Sequence, residues 1–505
     1  MAVVAAGGQT IDAMKSMYLI ASWAVAMVTA AVPALAAEQR PGLLACRLQG
    51  VEHDAWCGSV RRPLDPARPQ GTQIDLQYAV LPALARNRKP DPVFFFAGGP
   101  GQSAMELAGP IGRMLARLSN RRDIVLIDQR GTGRSAPLLC DEDLPTAPLA
   151  DAADPARATA RLHDCRLRLA KLPHGDLRHY TTWVAMQDAD AVRVALGAAQ
   201  VNLVGGSYGT RAALEYLRQF PQAVRRVAID GVAPPDMVLP AAFSTDNQVA
   251  LDAVLAACAA AKACAVRHPS LRADWQALLA SLPREVSVTH PVTGLPEKLT
   301  LTRDMVLGLA RAPLYVPWLA SALPLALGEA ARGRFEPLMG LAGAISGGSA
   351  AKIYGGMHFS VVCAEDLPRL AQAVDKPGAD FVDSFAVQYA KTCADWPRGT
   401  VPAAFYTLPT SPAAVLLLSG GADPVTPPRH GARVAQALGA KARHVVVPQA
   451  GHGVMALPCM RDVLFRFIDA ASDDEALKVD ADCAKGIPRP LAFVPVTAPA
   501  SGAAR

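Results

Sequence analysis

Residues 201–221, "VNLVGGSYGTRAALEYLRQFP", decide the fold class. The first residues are typical of a buried strand, and a helical pattern extends from residue 210 to residue 220. Gly205 and Gly209 flank Ser207 between the two elements, where side chains at the glycine positions would collide in a sharp turn. Two glycines and a serine can also form an inert turn. Between a strand and a helix, however, the pattern predicts that the Ser207 hydroxyl stands above the sheet edge as a nucleophile.

Short, fully apolar runs recur along the chain and predict a central sheet. Such runs are typical of parallel strands buried on both faces, and helical patterns lie between several of them. Residues 74–80 alternate between apolar and polar side chains, which indicates an antiparallel strand. The expected fold class is therefore α/β with a mostly parallel sheet. The predicted parallel strands are 93–96, 124–127, 201–204, 227–229, 415–418 and 444–447.

The spacing of these strands is interrupted once, between residues 233 and 400. This segment is rich in Ala, Leu and Pro and its pattern is mainly helical. We interpret it as a helical cap inserted between two strands. Tyr315, Trp318 and Tyr354 are candidates for a pocket wall there, although aromatic side chains of this kind more often belong to a core.

A serine nucleophile needs a base, and the base needs an acid that orients it. His452 follows the last predicted strand in "PQAGHGVM", and Asp423 follows the strand before it in "LLLSGGADPVTPP". Because parallel strands end at one edge of a sheet, Ser207, Asp423 and His452 are predicted to form a catalytic triad. Three further residues rank below them: Asp230 as an acid, His430 as a base, and His358, for which a structural role is expected.

Acyl transfer by a serine also requires donors for the developing oxyanion. One is the backbone N–H of Tyr208, at the start of the helix that follows the nucleophile. The loop "FFFAGGPGQSA" follows an early strand, and its glycines let the backbone approach a substrate oxygen closely. We predict the N–H of Gly99 as the second donor, with Gly98 as the alternative.

The N-terminus is typical of an export signal. Lys15 precedes an apolar run from residue 17 to residue 32, and Ala34-Leu35-Ala36 offers a cleavage site, so we assign residues 1–36 to a signal peptide. A membrane anchor is the alternative, but the run is short for a span. We expect an exported protein, periplasmic or secreted, without stable membrane insertion after cleavage. The net charge of +6 is scattered, so a nucleic-acid partner is not expected.

All ten cysteines follow the signal, and their even number in an exported chain suggests disulfides. Without Cys-x-x-Cys or zinc-like spacing, we expect no metal ion and no cofactor. Connectivity does not follow from sequence, but pairing in chain order closes short loops. The pairs are Cys46 with Cys57, Cys140 with Cys165, Cys258 with Cys264, Cys363 with Cys393, and Cys459 with Cys483.

Several segments together resemble a known family. "AGGPG" and "IDQRGTGRS" (127–135) resemble the proline iminopeptidases, and "GGSYGTR" is similar to the secreted tripeptidyl aminopeptidases of the same superfamily. Residues 402–483 resemble the C-terminal region of the latter, which holds the acid and the histidine. The resemblance implies an α/β-hydrolase fold and a serine exopeptidase acting at peptide N-termini. This sequence departs from the family at Ala97, where the family has a loop histidine. Because that histidine is not part of the triad, the departure bears on which substrates are preferred and not on hydrolysis itself.

The expected domains follow from these assignments. After the signal peptide, residues 37–232 and 401–490 form the α/β-hydrolase core, residues 233–400 form the cap, and residues 491–505 form a disordered tail. An aminopeptidase must also hold a charged α-amine, and in such enzymes the carboxylate comes from the cap or its junction. Glu365 in "SVVCAEDLP" is the candidate and Asp366 the second choice, against a surface acidic pair as the alternative. Arg130 and Asp128 are a possible structural pair.

The leading hypothesis is therefore an exported serine aminopeptidase of the tripeptidyl or prolyl type, with peptides as substrates. A carboxylesterase or lipase acting on small esters is the alternative, because a triad does not distinguish amides from esters. A third hypothesis is a binding protein that keeps a hydrolase shell, against which the intact Ser207, Asp423 and His452 argue.

Overall fold

The computed structural model describes residues 42–141, 144–346 and 352–495. Nine strands within these ranges form one sheet in the order β1-β2-β3-β5-β4-β6-β7-β10-β11, and β8 and β9 form a separate hairpin. The strands are β1 (Leu44–Cys46), β2 (Ala55–Pro63), β3 (Gln73–Leu81), β4 (Val93–Phe96), β5 (Ile124–Ile127), β6 (Val201–Gly206), β7 (Val224–Asp230), β8 (Arg284–Thr289), β9 (Pro296–Leu301), β10 (Ala414–Gly420) and β11 (Ala442–Val447).

Helices surround the sheet. Those in the first part of the chain are α1 (Ala108–Met114), α2 (Ala116–Ser119), α3 (Leu149–Ala153), α4 (Pro155–Leu169), α5 (Thr182–Ala195) and α6 (Tyr208–Gln219). The middle part contains α7 (Leu239–Ala260), α8 (Lys262–Arg267), α9 (Leu271–Ala280), α10 (Arg303–Arg311), α11 (Pro317–Ala320), α12 (Leu323–Ala331), α13 (Glu336–Ser346), α14 (Gly355–Glu365) and α15 (Ser384–Cys393). The last part contains α16 (Pro428–Leu438), α17 (Pro458–Asp469) and α18 (Asp473–Leu477).

Strand direction places the ends of six strands at one edge. β4 is parallel to β5 and β6, and β6, β7, β10 and β11 continue the parallel order. β3 runs antiparallel to β5, as the alternation at 74–80 predicts. The residues that follow β4, β6, β7, β10 and β11 are therefore brought to the same side of the molecule.

Each parallel strand is buried on both faces because its successive side chains point in opposite directions. Phe94 and Phe96 of β4 pack in the cluster that contains Met186 of α5. Phe95 packs on the opposite face in the cluster that contains Phe467 of α17. This two-sided burial explains why the sequence of these strands is a continuous apolar run.

The middle part of the chain has an apolar cluster of its own, which includes Trp275, Leu327 and Phe335. It contains helices α7 to α15 and also the β8–β9 hairpin, which the helical expectation missed. Both hairpin strands alternate between exposed and more buried residues, and their polar side chains hide the strand pattern. The domain bounds given above remain a prediction.

The structure joins the ten cysteines in the five pairs predicted from chain order. The predicted export signal at 1–36 lies outside the described residues, as does most of the predicted tail. Within the described part of that tail, the Phe493 N–H donates to the Ser321 carbonyl at 2.8 Å. In the ranges that the structure covers, no helix has the length and apolar character needed to cross a membrane.

Candidate active site

Ser207 occupies the turn between the end of β6 and the start of α6. Its φ is +55° and its ψ is −125°, a conformation that residues other than glycine rarely adopt. A Cβ at Gly205 would overlap the carbonyl oxygen of Gly209, and a Cβ at Gly209 would overlap that of Phe96. The Ser207 N–H also donates to the Asp230 carbonyl at 2.8 Å. Both glycines are therefore needed for the strained turn that presents the serine.

Asp423, which is buried, and His452, which is partly exposed, form a pair beyond the ends of β10 and β11. The Nδ1 of His452 lies 2.8 Å from Oδ2 of Asp423. The backbone N–H groups of Val425 and Thr426 each donate to the other carboxylate oxygen at 2.9 Å. The Thr426 hydroxyl donates to Asp423 at 2.7 Å and lies 3.1 Å from His452 Nδ1. Because the Nδ1 of His452 contacts Asp423, the Nε2 of His452 is the nitrogen available to accept a proton.

The charges of the pair stabilise each other against burial. Burial by itself raises the pKa of Asp423, but the His452 charge and the hydrogen bonds to the carboxylate bring it below its usual range. Burial lowers the pKa of His452, but the Asp423 charge and hydrogen bond outweigh this and raise it. The arrangement favours an ionised aspartate and strengthens the histidine as a base.

The loop after β4 lies beside the serine. Gly99 has a φ of +109°, and the Gly99–Pro100 peptide bond is cis. A Cβ built on Gly98 would lie 3.2 Å from Ser207 Cβ, so the backbone approaches the nucleophile closely. The Tyr208 N–H stands at the first position of α6, where the helix dipole favours negative charge. The structure thus brings the two predicted oxyanion donors, Gly99 and Tyr208, next to Ser207.

A cavity of about 700 Å³ connects these groups. Gly99, Ser207, Tyr208 and His452 all line it, together with Thr426. The hydrogen bonds among the described residues include none between Ser207 and His452, and such bonds often form only when substrate is bound. Other lining residues are Gln102, Cys140, Asp141, Ala158, Arg161, Leu162, Ala233, Leu239, Phe243, Arg311, Tyr315, Ile353, Gly355, His358, Phe359, Tyr389 and Val425.

The sequence profile of the alpha/beta hydrolase fold matches residues 91–456, a range that contains the whole cavity wall. This chain belongs to the α/β-hydrolase family. The fold class predicted from the strand-turn-helix segment at 201–221 is thereby confirmed, and so is the resemblance at the family level.

Curated relatives of this α/β-hydrolase match part of its length. The tripeptidyl aminopeptidase of Streptomyces lividans is 32% identical over 194 residues, 35% of each chain. The serine protease Hip1 of Mycobacterium tuberculosis is 31% identical over 199 residues, 36% of each chain. The proline iminopeptidase of Neisseria meningitidis is 30% identical over 142 residues, 28% of this chain and 32% of the relative. The matches thus span about a third of these relatives.

Glu365, the candidate for amine binding, is not among the residues that line the cavity. Its side chain is fully buried, and its carboxylate accepts from the Thr182 N–H at 2.6 Å and from the Thr182 hydroxyl at 3.0 Å. Arg211 lies 3.4 Å from it and also pairs with Asp366, the second choice. Burial raises the pKa of Glu365 to about 7. Because protein groups already occupy both carboxylates, neither of them is available to a substrate amine in this structure.

The lower-ranked candidates have other partners. Asp230 accepts from the Met455 N–H at 2.7 Å, and burial raises its pKa to about 6. His430 is buried against Asp246 at 2.8 Å, away from the cavity. His358 lines the cavity, and its Nδ1–H donates to the Pro100 carbonyl at 3.1 Å, so it supports the Gly99 loop.

Two further expectations concern the Arg130–Asp128 pair and the three aromatic residues of the cap. Arg130 pairs with Asp188 through two nitrogens, at 2.6 and 3.0 Å, and not with Asp128. Asp128 instead accepts from Ser103 and from the backbone of the loop that follows it. Of the three cap aromatics, Tyr315 lines the cavity, Tyr354 is buried beside it, and Trp318 is 64% exposed elsewhere.

Two cavity residues were missed from the sequence. Thr426 follows Asp423 by three residues, and its hydroxyl completes a local turn of a kind that an Asp-Pro-x-Thr segment favours. Arg311 carries no such signal, because a single arginine in a helical pattern usually lies on a solvated face.

Proposed function

We propose that this α/β-hydrolase is an exported serine aminopeptidase that uses Ser207, His452 and Asp423 as its triad. The observation that carries the proposal is that His452, which is paired with Asp423, lines one cavity with Ser207, Gly99 and Tyr208. The relatives described above, a tripeptidyl aminopeptidase, a serine protease and a proline iminopeptidase, support peptides as substrates.

In the proposed reaction, His452 Nε2 takes the Ser207 proton while the serine oxygen attacks the substrate carbonyl carbon. The carbonyl oxygen becomes an oxyanion that the Gly99 and Tyr208 N–H groups stabilise. His452 returns the proton to the departing amine, which leaves as the C–N bond breaks. Water then attacks the acyl-enzyme with the same base, so the acyl group leaves as an acid and Ser207 regains its proton.

An esterase is the second candidate, and the placement of Glu365 favours it. Aminopeptidase action requires a carboxylate near the cavity for the α-ammonium group. Among the described lining residues, Asp141 is the one carboxylate; its side chain is 82% exposed and pairs with Arg168. We therefore assign amine binding to Asp141 under the aminopeptidase hypothesis.

A peptide library with free and acetylated N-termini, read by mass spectrometry, separates the two candidates. We expect cleavage of free N-termini only, and its loss in Ser207→Ala. Equal cleavage of both classes would overturn the aminopeptidase assignment, and hydrolysis of p-nitrophenyl esters without any peptide cleavage would establish the esterase. Asp141→Asn is expected to raise KM for free N-termini by about tenfold and to leave kcat for neutral esters unchanged.

Export is also part of the proposal. Five disulfides are typical of proteins in oxidising compartments. Expression of the full chain followed by mass spectrometry of its N-terminus tests the signal. We expect a mature N-terminus after Ala36, and an uncleaved protein that stays with the membrane would overturn the assignment.

A further inference from the structure

Arg311, the last residue of α10, is a cationic side chain on the wall of the catalytic cavity. Its Nη2 donates to the Tyr315 hydroxyl at 2.9 Å. Its Nε is buried and has no hydrogen-bond partner among the described residues. Within the same ranges, no carboxylate lies within 4 Å of the guanidinium group. The Cζ atom of Arg311 lies 5.7, 5.6 and 5.1 Å from the ring centroids of Phe243, Tyr315 and Phe385.

Arg122, Arg130 and Arg211, which are more deeply buried than Arg311, differ in this respect. Arg122 pairs with Asp91 at 2.9 Å and Arg130 with Asp188 at 2.6 Å. Arg211 pairs with Asp366 at 3.1 Å, which is the arrangement that a buried cation normally requires. Aromatic faces compensate for only part of the lost hydration of a guanidinium group. Among the described residues, Arg311 therefore has one donor without a partner and no carboxylate that balances its charge, and its side chain lines the cavity.

We propose that Arg311 is a specificity-determining residue that binds a carboxylate group of the substrate. The guanidinium fork matches a carboxylate through two parallel hydrogen bonds, which a lysine does not reproduce. The assignment rests on the proposed function, because it takes the cavity as the place where substrate binds.

The position of Arg311 indicates which part of the substrate carries the carboxylate. Tyr315 contacts both Arg311 and His452. Its hydroxyl accepts a hydrogen bond from Arg311, and its ring lies edge-on to the His452 ring with the ring centroids 5.3 Å apart. His452 protonates the departing group in the proposed reaction, so Arg311 lies on the side of that group. Two sources fit: the C-terminal carboxylate of a short peptide, or an acidic side chain shortly after the cleaved bond.

The same proximity links substrate binding to the base. The Arg311 charge lowers the pKa of His452, in opposition to Asp423. A carboxylate bound to Arg311 neutralises that charge and makes His452 a stronger base when the preferred substrate is present.

Two pairs of matched peptides test the assignment. Two differ only in a C-terminal carboxylate or amide, and two amidated peptides differ only in Glu or Gln after the cleaved bond. We expect the wild-type kcat/KM to favour the carboxylate in one of the pairs by at least about tenfold, and the pair identifies the source. In Arg311→Met that ratio should fall to about one, and Arg311→Lys should keep part of it. Arg303→Met is the control, because it removes an arginine from the same helix that does not line the cavity.

The outcomes are distinguishable. A wild-type ratio near one in both pairs would overturn the proposal, as would a high ratio that Arg311→Met leaves unchanged. If Arg311→Met does not fold, the Arg311→Lys ratio decides, since an unaltered ratio there contradicts bidentate binding. The acid limb of the pH profile should also move upward in Arg311→Met. Failure of the wild type to cleave any of the four peptides or a neutral ester concerns the proposed function instead.

Discussion

At the residue scale, Thr426 is a side chain that contacts both Asp423 and His452. Its hydroxyl donates to Asp423 Oδ2 at 2.7 Å and lies within 3.1 Å of His452 Nδ1. Asp423 has no solvent contact, so each hydrogen bond to its charge replaces lost hydration. Thr426 thus helps to keep the carboxylate ionised and the imidazole in one orientation.

Replacing Thr426 by Val should therefore impair the reaction without unfolding the protein. We expect kcat to fall about tenfold, because one charge-assisted hydrogen bond to Asp423 is lost. Thr426→Ser restores the hydroxyl and should recover most of the activity. Steady-state kinetics on a peptide with a free N-terminus measures both variants. Equal loss in Val and Ser would indicate that packing of the methyl group matters instead.

The raised pKa of His452 predicts the acid limb of the pH profile. His452 must be unprotonated to accept the Ser207 proton, so activity falls as the pH drops through its pKa. Asp423 raises that pKa, and the limb of kcat/KM should lie above the ordinary value of about 6.5. Asp423→Asn should lower both the limb and kcat, the latter by about 10⁴-fold. A limb below about 6 in the wild type would contradict the prediction.

At the scale of elements, α14 is joined to α5 and α6 by a buried charge cluster. Glu365 and Asp366 at the end of α14 share one cation among the described residues, Arg211 of α6, and Thr182 of α5 donates to Glu365. One cation does not balance two buried carboxylates. Asp366 holds Arg211 through both oxygens, at 3.1 and 3.2 Å, and burial raises the pKa of Glu365 to about 7.

This cluster predicts a pH-dependent stability. The pKa of Glu365 in the fold is above its unfolded value of about 4.3, so the folded state binds the proton more tightly. Its stabilising contribution is complete below that unfolded value and is lost as the pH rises toward 7. Glu365→Gln mimics the protonated form, and its Tm relative to wild type should therefore increase between pH 5 and pH 8. Thermal unfolding at both pH values measures the difference.

Asp366→Asn is the matched control for this experiment. It removes the paired carboxylate from Arg211, so it should lower the Tm at both pH values. A difference between Glu365→Gln and wild type that stays constant with pH would show that Glu365 is ionised throughout.

At the scale of the whole molecule, disulfides join segments that carry the site. Cys363 of α14 and Cys393 of α15 close a separation of 30 residues, whereas Cys46 and Cys57 join neighbouring strands across 11. Chain-entropy reasoning gives about 3.7 kcal/mol for the longer loop and about 2.8 kcal/mol for the shorter one.

Removal of the longer disulfide should therefore lower the Tm by several degrees, and more than removal of the shorter one. We expect the Cys363→Ala, Cys393→Ala double variant also to reduce kcat, because α14 carries His358 against the Gly99 loop. The Cys46→Ala, Cys57→Ala double variant should leave kcat unchanged. Calorimetry and kinetics under oxidising conditions measure both, and equal effects on kcat would contradict the link to α14.

Local patterns predicted much of this protein. The Gly-x-Ser-x-Gly turn and the apolar strands each follow from a short segment of the chain. The same is true of the positions of Ser207, Asp423 and His452, each of which comes after a strand. These predictions were possible because parallel strands end at one edge of the sheet, so residues that follow different strands lie close together in space. The same reasoning placed the Gly99 loop beside the nucleophile. The pattern failed for the β8–β9 hairpin, whose half-exposed strands lack continuous apolar runs.

The sequence alone thus determined the fold class and the residues that converge on the sheet edge, whereas it only suggested the cysteine pairing in chain order. Only the tertiary structure decided which charges are neutralised. Glu365 and Arg211 are 154 residues apart, and their contact gives the Glu365 carboxylate a partner within the protein. Unlike Arg122, Arg130 and Arg211, Arg311 has no described carboxylate within 4 Å of its guanidinium group. The physical reason is that the fate of a buried charge depends on which distant groups fold against it, and no local pattern records that.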